Sequence, residues 1–167
     1  MDESSLLLRQ IPHSIEAEQS VLGAMLIDAR CIPDVVEALT GEDFYLKANR
    51  EIYETIYTMF NFSATIDPVT VLDQMKLTGV YDENTSRSYL LQLMEITPTA
   101  ANVKEYIRIV KDKALLRRIA ETAGELTTLV QEGGETAQAV LDLAEQRVYA
   151  IRQGRSAQGL EPLSKIL

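Results

Sequence analysis

Two heptad-like patterns flank a Gly-Gly pair, and they limit the fold of this chain more than any other feature of its sequence. In both patterns the apolar residues are spaced by alternating steps of three and four, before and after Gly133-Gly134. The first pattern comprises Leu116, Ile119, Ala123, Leu126 and Val130, and the second comprises Ala137, Leu141, Ala144, Val148 and Ile151. Such spacing is typical of a coiled-coil seam, and glycine commonly ends a helix. The sequence therefore predicts an antiparallel helical hairpin over residues 102–152.

The predicted hairpin would bury too little apolar surface to be stable alone. Its seam is rich in alanine, so at roughly 25 cal/mol per Å² of buried apolar area it gains only a few kcal/mol. That gain is set against the conformational entropy of ordering its residues. We therefore expect the hairpin to pack on other copies of itself. The residues expected to form the hairpin and subunit contacts are Leu116, Ile119, Leu126, Leu141 and Val148.

Residues 14–101 carry the signals of a small helical bundle of about five to six helices. Ser14 is a good N-cap, and Asp67-Pro68 combines an N-cap carboxylate with proline at the first helical position. Gly23 falls inside the first predicted helix, where close packing of another helix explains it best. No stretch shows the alternation of a strand. The predicted fold class is all-α, a helical head followed by a helical hairpin.

The two ends of the chain differ in composition from the predicted head and hairpin. Residues 1–13 form an N-terminal tail in this interpretation. Residues 153–167 are rich in Gly, Ser and Pro at first, which is typical of a flexible interdomain linker, and they end in the first turn of a linker helix. We expect the chain to be a fragment of a longer protein.

The residue inventory gives little support for catalysis. The chain has a single histidine, His13, and a single cysteine, Cys31, so neither a zinc cluster nor a cysteine–histidine–third-residue site can be assembled from it. His13 precedes the first N-cap, where packing is the expected role. No Gly-rich phosphate-binding motif occurs. We therefore expect no catalytic, cofactor-binding or metal-binding residue. No apolar run approaches the roughly 20 residues that span a bilayer, so we expect a cytoplasmic protein without a membrane partner.

The charge is distributed unevenly along the chain. Residues 1–103 hold 6 basic and 16 acidic side chains, whereas residues 104–118 hold 6 basic and 2 acidic ones. An acidic head is not expected to bind the phosphate backbone of a nucleic acid, because such binding depends largely on cationic side chains. The basic stretch is most simply the solvated face of a helix. A direct single-strand DNA-binding module is an alternative, and its candidate cations are Lys104, Arg108, Lys111, Arg117 and Arg118.

Four ordered stretches, which together cover nearly the whole chain, resemble a known family. They are IPHSIEAEQSVLGAML, EDFYLKANREIYETI, IDPVTVLDQM and PTAANVKEYIRIVKDKALLRRI. The first resembles the opening signature of the DnaB-type bacterial replicative helicase. The chain departs from the usual pattern at Ile11, where a second proline is common, and around residues 81–88, which lack the glycine pair of relatives.

The resemblance implies that the chain is the N-terminal domain and the start of the linker of such a helicase. A RecA-like ATPase would follow, so ATP and magnesium are expected only in that motor. The family assigns the N-terminal domain two roles: building a collar on the hexameric ring, often as a trimer of dimers, and docking DnaG-type primase. A helicase loader is a further candidate partner, and DNA would be contacted only through the full-length ring. The primase-facing candidates are Tyr89, Arg117 and Arg118, although Tyr89 could equally belong to the core. The helicase-binding domain of a primase, which resembles this fold, is the other alternative.

Overall fold

The computed structural model describes the backbone of residues 11–164 and the side chains of residues 11–154. Within that range the fold is all-α, with seven α-helices and no strand, as the sequence predicts. The helices are α1 (Ile15–Ile27), α2 (Ile32–Ala38), α3 (Lys47–Asn61), α4 (Pro68–Thr78), α5 (Ser86–Glu95), α6 (Val103–Glu132) and α7 (Ala137–Ser164). Short 3₁₀ turns at Ala29–Cys31 and Gly41–Asp43 precede and follow α2.

The chain divides into two compact units. The head unit is His13–Ala114, and within the described residues the hairpin unit comprises residues 115–164 together with 11–12. The head unit extends beyond residue 101, where the sequence predicts its end. The reason is that Val103, Ile107 and Val110, in the first turns of α6, are buried in the head core. The position of an apolar residue along a helix does not reveal which neighbour will cover it.

The sequence-predicted helix starts are confirmed in atomic detail. The Ser14 hydroxyl oxygen accepts a hydrogen bond from the Ala17 N–H at 3.2 Å, which caps α1. The Asp67 carboxylate accepts from the Thr70 N–H at 2.9 Å, while the Thr70 hydroxyl accepts from the Asp67 N–H at 2.9 Å. This reciprocal capping box opens α4, which ends at Gly79 with φ of 78°.

The head core is a single cluster to which all six of the helices in the head contribute. Its largest fully buried side chains include Tyr53 and Phe44, whose rings stack with centroids 4.8 Å apart. The Tyr53 hydroxyl donates to the Leu39 carbonyl at 2.5 Å, and burial raises the pKa of Tyr53. Cys31 is also buried, and desolvation raises the pKa of its thiol to about 11. Cys31 is therefore an unreactive core residue at neutral pH.

Glu18 lies in this core although it is a carboxylate. Only 1% of its surface is exposed, and it accepts hydrogen bonds from the Tyr45 N–H at 2.9 Å, the Leu46 N–H at 3.3 Å and the Asn49 side-chain amide at 3.0 Å. Leu46 is the N-cap residue of α3 and has no side-chain cap of its own. A side chain of α1 therefore accepts hydrogen bonds from the two backbone N–H groups that immediately precede α3.

Gly23 lies where α1 and α5 pack, as the sequence predicts for a glycine inside a helix. A Cβ atom at this position would lie 2.4 Å from the Leu93 carbonyl oxygen and 2.2 Å from the Thr97 hydroxyl oxygen. These distances are well below van der Waals contact, and one of the two atoms belongs to the backbone. Only a glycine allows α1 and α5 to approach this closely.

The hairpin unit contains the end of α6, the turn at Gly133-Gly134 and α7. Both turn glycines have positive φ, 65° and 112°, which is the reason for glycine here. The Arg147 guanidinium of α7 forms an ion pair with Glu125 of α6 at 3.2 Å, so the two helices run antiparallel. For residues from 153 the sequence predicts a flexible linker, whereas α7 continues to Ser164. Glycine and serine lower helix stability without interrupting the backbone hydrogen bonds.

We expect Gly23→Ala to lower the free energy of unfolding of the chain by about 2 kcal/mol, because the new methyl group overlaps the Leu93 carbonyl. Urea unfolding followed by circular dichroism measures this change. The matched control is Gly124→Ala on α6, where a Cβ would have no neighbour within 4 Å. That variant should be stabilised by about 0.5–1 kcal/mol. A neutral effect of Gly23→Ala would contradict the close approach of α1 and α5.

Glu18→Gln should lower the free energy of unfolding by about 2–3 kcal/mol. A glutamine offers one carbonyl oxygen where the carboxylate offers two, and it turns an N–H group toward backbone N–H donors. The control is Glu16→Gln, the same charge change at an exposed position of the same helix, which should stay within about 0.5 kcal/mol of the wild type. Equal effects of the two substitutions would show that the buried capping interaction contributes nothing.

Candidate assembly and partner-binding surfaces

An apolar groove of about 420 Å³ lies between α6 and α7 within the hairpin unit. It is lined by Leu115, Ile119, Thr122, Ala123, Leu126, Val148, Ile151 and Arg152. Arg152 is the only charged group among these residues, and the walls are otherwise almost wholly aliphatic. Because several of these side chains are accessible to solvent, the hairpin leaves apolar surface uncovered.

The structure brings together three of the five predicted hairpin and subunit contact residues. Ile119, Leu126 and Val148 share the groove, although Ile119 remains 49% exposed and Val148 53% exposed. Leu116 and Leu141 do not line it and are 47% and 52% exposed.

Other apolar side chains beside the predicted seam are more buried than most of the seam residues. They are Leu115, Leu129, Val140 and Leu143, each of which is half-buried. The apolar stripe of each helix is therefore broader than the seam, with one edge turned into the hairpin and the other toward solvent.

Arg108 and Arg117, which are candidate cations of the single-strand DNA hypothesis, contact neighbouring oxygen atoms. Arg108 forms ion pairs with Glu105 at 2.5 Å and Asp112 at 3.1 Å. The hydrogen bond from Arg108 lowers the pKa of Glu105. Arg117 donates to the Pro12 carbonyl oxygen at 2.7 Å, both residues belonging to the hairpin unit. These contacts weaken the hypothesis of a phosphate-binding face, which needs cations that can exchange counterions for phosphates.

Tyr89 is half-buried in the head unit, and its hydroxyl is directed inward. The hydroxyl donates to the Asn49 side-chain oxygen and accepts from the Gln19 side-chain amide at 3.3 Å. Burial raises the pKa of Tyr89. The same Asn49 binds Glu18, so Tyr89 completes a polar network that links α1, α3 and α5. Arg117 and Arg118, the other two primase-facing candidates, belong to the hairpin unit.

His13 has a packing role, as the sequence predicts. Its ring stacks on Tyr45 with centroids 4.5 Å apart. Among the residues that the structure describes, no three histidine, cysteine, aspartate or glutamate side chains are grouped so that they could hold a metal ion. None of the described helices combines the length and the hydropathy needed to cross a membrane.

Sequence reasoning did not identify two features of the head. One is the burial of Glu18, for which the only signal was its place in the E-A-E-Q motif, since its local position is that of an ordinary first-turn carboxylate. The other is a set of strongly exposed apolar side chains: Phe62 is 80% exposed, and Val69 and Leu77 are both 76% exposed. Val69 and Leu77 belong to α4, whose buried residues are Val71 and Met75.

Comparisons with solved structures place this fold beside helicase N-terminal domains. The N-terminal domain of DnaB helicase from Mycobacterium tuberculosis superposes with a TM-score of 0.79 at 36% identity, over 84% of this chain and 99% of that one. The N-terminal domain of DnaB helicase from Helicobacter pylori, whose structure was described together with its interactions with primase, gives a TM-score of 0.59 at 20% identity. That match covers 77% of this chain and 97% of the other, and it shows the shared fold alone.

Sequence comparisons identify the same family as the structural comparisons. Curated relatives named replicative DNA helicase DnaB are 34% identical over 94% of this chain in Leifsonia xyli and 35% identical over 95% of it in Mycobacterium leprae. The chain spans 34% and 27% of the lengths of these two relatives. The family described as DnaB-like helicase N terminal domain matches residues 10–112. The chain therefore belongs to the family of DnaB-like helicase N-terminal domains.

Proposed function

We propose that this chain is the non-catalytic N-terminal module of a replicative DNA helicase, and that it holds helicase subunits together and docks DnaG-type primase. Family membership supports the parentage, since the curated relatives are named replicative helicases and are about three times as long as this chain. In this proposal ATP-dependent unwinding, with its ATP and magnesium, belongs to the remainder of the protein. The module would act in the cytoplasm, at the replication fork.

The apolar groove of the hairpin is the observation that carries the assembly role. Ile119 and Val148 are about half exposed in a single chain, on either side of a groove with one charged lining residue. Covering such a surface with another copy removes apolar area from water at roughly 25 cal/mol per Å². A symmetric pair of hairpins would bury the groove of both chains, and pairs of chains can then form a collar as a trimer of dimers.

The primase-docking role rests on the charge pattern together with the parentage. The head is acidic, and the start of the hairpin unit carries the adjacent cations Arg117 and Arg118. Adjacent arginines are well suited to bind carboxylates of a protein partner. Arg117 donates to the Pro12 carbonyl oxygen, and the next residue, Arg118, is half-buried. Charge reversal at Arg118 probes the proposed partner contact.

We expect Ile119→Asn to weaken self-association of the chain by about tenfold or more, because it places a polar amide in the apolar groove. Sedimentation equilibrium over a range of concentrations measures the constant. The control is Thr128→Asn on the same helix, which replaces an exposed residue outside both the groove and the seam. The self-association constant of this control should stay within about twofold of that of the wild type. A wild-type chain that remains monomeric at the highest concentration would contradict the assembly role.

Arg118→Glu should weaken binding of the C-terminal domain of a DnaG-type primase by about tenfold, because the reversed charge repels a carboxylate of the partner. Isothermal calorimetry with the purified primase domain measures the affinity. The control Arg87→Glu makes the same charge change at an exposed side chain of the head unit and should leave the affinity within about twofold of the wild type. Absence of any heat with the wild-type chain would remove the docking role.

A further inference from the structure

A second apolar groove of the hairpin unit, of about 440 Å³, runs along α7 alone. Its lining residues, which we call the α7 face, are Ala144, Glu145, Val148, Tyr149 and Arg152. Val148 and Arg152 also line the groove between α6 and α7. The two grooves therefore share a row of side chains, so one occupant of this row would cover part of both.

The large apolar side chains of the α7 face are not covered by any of the described residues. Val148 and Tyr149 are both exposed. The Tyr149 hydroxyl accepts a hydrogen bond from the Gln153 side-chain amide at 2.6 Å, which directs it toward the next turn of α7. A tyrosine contributes a large contact area at little cost in conformational entropy, and tyrosine is enriched in protein interfaces. The centre of the α7 face is therefore suited to contact with another protein chain.

The two charged side chains of the α7 face stand at its opposite ends. Glu145 and Arg152 are seven residues apart, which places them on the same side of the helix and about 10 Å apart along its axis. Neither of them forms an ion pair with another described residue, and the ion pair between α6 and α7 joins Glu125 and Arg147 instead. The α7 face thus has a negative end, an apolar centre and a positive end.

This arrangement of charge is complementary to itself in one orientation. If two copies pack their α7 faces antiparallel about a two-fold axis between Val148 and Tyr149, Glu145 of each copy lies opposite Arg152 of the other. A parallel arrangement would instead place Glu145 opposite Glu145 and Arg152 opposite Arg152, and like charges repel. Charged residues that flank an apolar helix contact set its orientation in this way. The charges therefore favour a second copy of the chain as the occupant, in the antiparallel arrangement.

We propose that two copies of the chain associate through antiparallel contact of their α7 faces, with Val148 and Tyr149 at the centre and a Glu145–Arg152 ion pair at each end. Removal of the exposed apolar side chains from water stabilises the contact, and the ion pairs fix its register. The inference rests on the proposed assembly role and deepens it, because it specifies the helix, the direction and the residues through which two subunits meet.

Charge reversal tests the ion pairs. Glu145→Arg alone should weaken self-association by about tenfold, because it places two arginines opposite each other at both ends of the contact. The double variant Glu145→Arg/Arg152→Glu restores opposite charges and should associate within about threefold of the wild type. Sedimentation equilibrium measures the constants, and circular dichroism checks that the variants keep their helices.

The control for charge reversal is Glu132→Arg, which makes the same charge change at an exposed residue of α6 outside both grooves. Its self-association constant should stay within about twofold of that of the wild type. A double variant that associates as weakly as Glu145→Arg alone would overturn the proposal.

Disulfide trapping tests the direction of the two helices. A mixture of Glu145→Cys and Arg152→Cys chains should form a disulfide between the two variants under mild oxidation, whereas each variant alone should not. In the antiparallel contact the two copies of residue 145 lie about 10 Å apart along the axis, beyond the reach of about 7 Å between the Cα atoms of a disulfide. The native Cys31 is buried and does not compete. Cross-linking of each variant with itself would show a parallel contact and overturn the proposal.

The outcomes separate the α7 contact from the assembly role. If Ile119→Asn weakens association and Glu145→Arg does not, the assembly role stands and the α7 contact is overturned. A wild-type chain that stays monomeric at the highest concentration would overturn both.

Discussion

The buried carboxylate of Glu18 is the interaction on which the rest of the head depends. It stands at the meeting point of α1 and the amino end of α3, where the N-cap residue Leu46 has no side chain that could accept a hydrogen bond. A buried charge is costly unless it is fully hydrogen-bonded, and here three donors converge on it. The interaction thus fixes both the start of α3 and its position against α1.

The same contact organises α5 through a chain of hydrogen bonds. Asn49 donates to Glu18 with its amide nitrogen and accepts from the Tyr89 hydroxyl with its amide oxygen. Gln19, the next residue after Glu18, donates to the same hydroxyl. On the other side of α1, the missing side chain of Gly23 lets α5 approach. The spacing of α1, α3 and α5 is therefore fixed from within the head.

The two units differ in how far they bury their apolar side chains. The head buries its large side chains in one cluster, with the marked exceptions of Phe62, Val69 and Leu77. The hairpin has no comparable cluster within the described residues, and its apolar side chains are at best half-buried. A pair of long helices that cannot cover its own apolar stripe is suited to association, whereas a head with a packed core and an acidic surface is suited to recognition.

Features that depend on short-range chemistry could be predicted from the sequence alone. The caps at Ser14 and Asp67, the stop at Gly79, the turn at Gly133-Gly134 and the all-α class follow from backbone hydrogen bonds and φ preferences within a few residues. The close packing at Gly23 was also predictable, because a glycine that weakens a helix needs a reason. The sequence alone did not predict which residues would be the neighbours of Gly23, namely Leu93 and Thr97.

The tertiary structure alone decided which side chains meet. Glu16 and Glu18 are equivalent as first-turn carboxylates, yet only Glu18 faces α3 and is buried. The sequence is equally compatible with Tyr89 as a surface anchor and as a core residue. In the structure the Tyr89 hydroxyl is directed inward, where it donates to Asn49 on another helix. Likewise Leu116 and Leu129 belong to the same broad apolar stripe of α6, yet Leu129 is half-buried and Leu116 is exposed. A helical pattern gives the direction of a side chain around its own axis, but burial depends on the second helix, whose position is set by contacts that are distant in sequence.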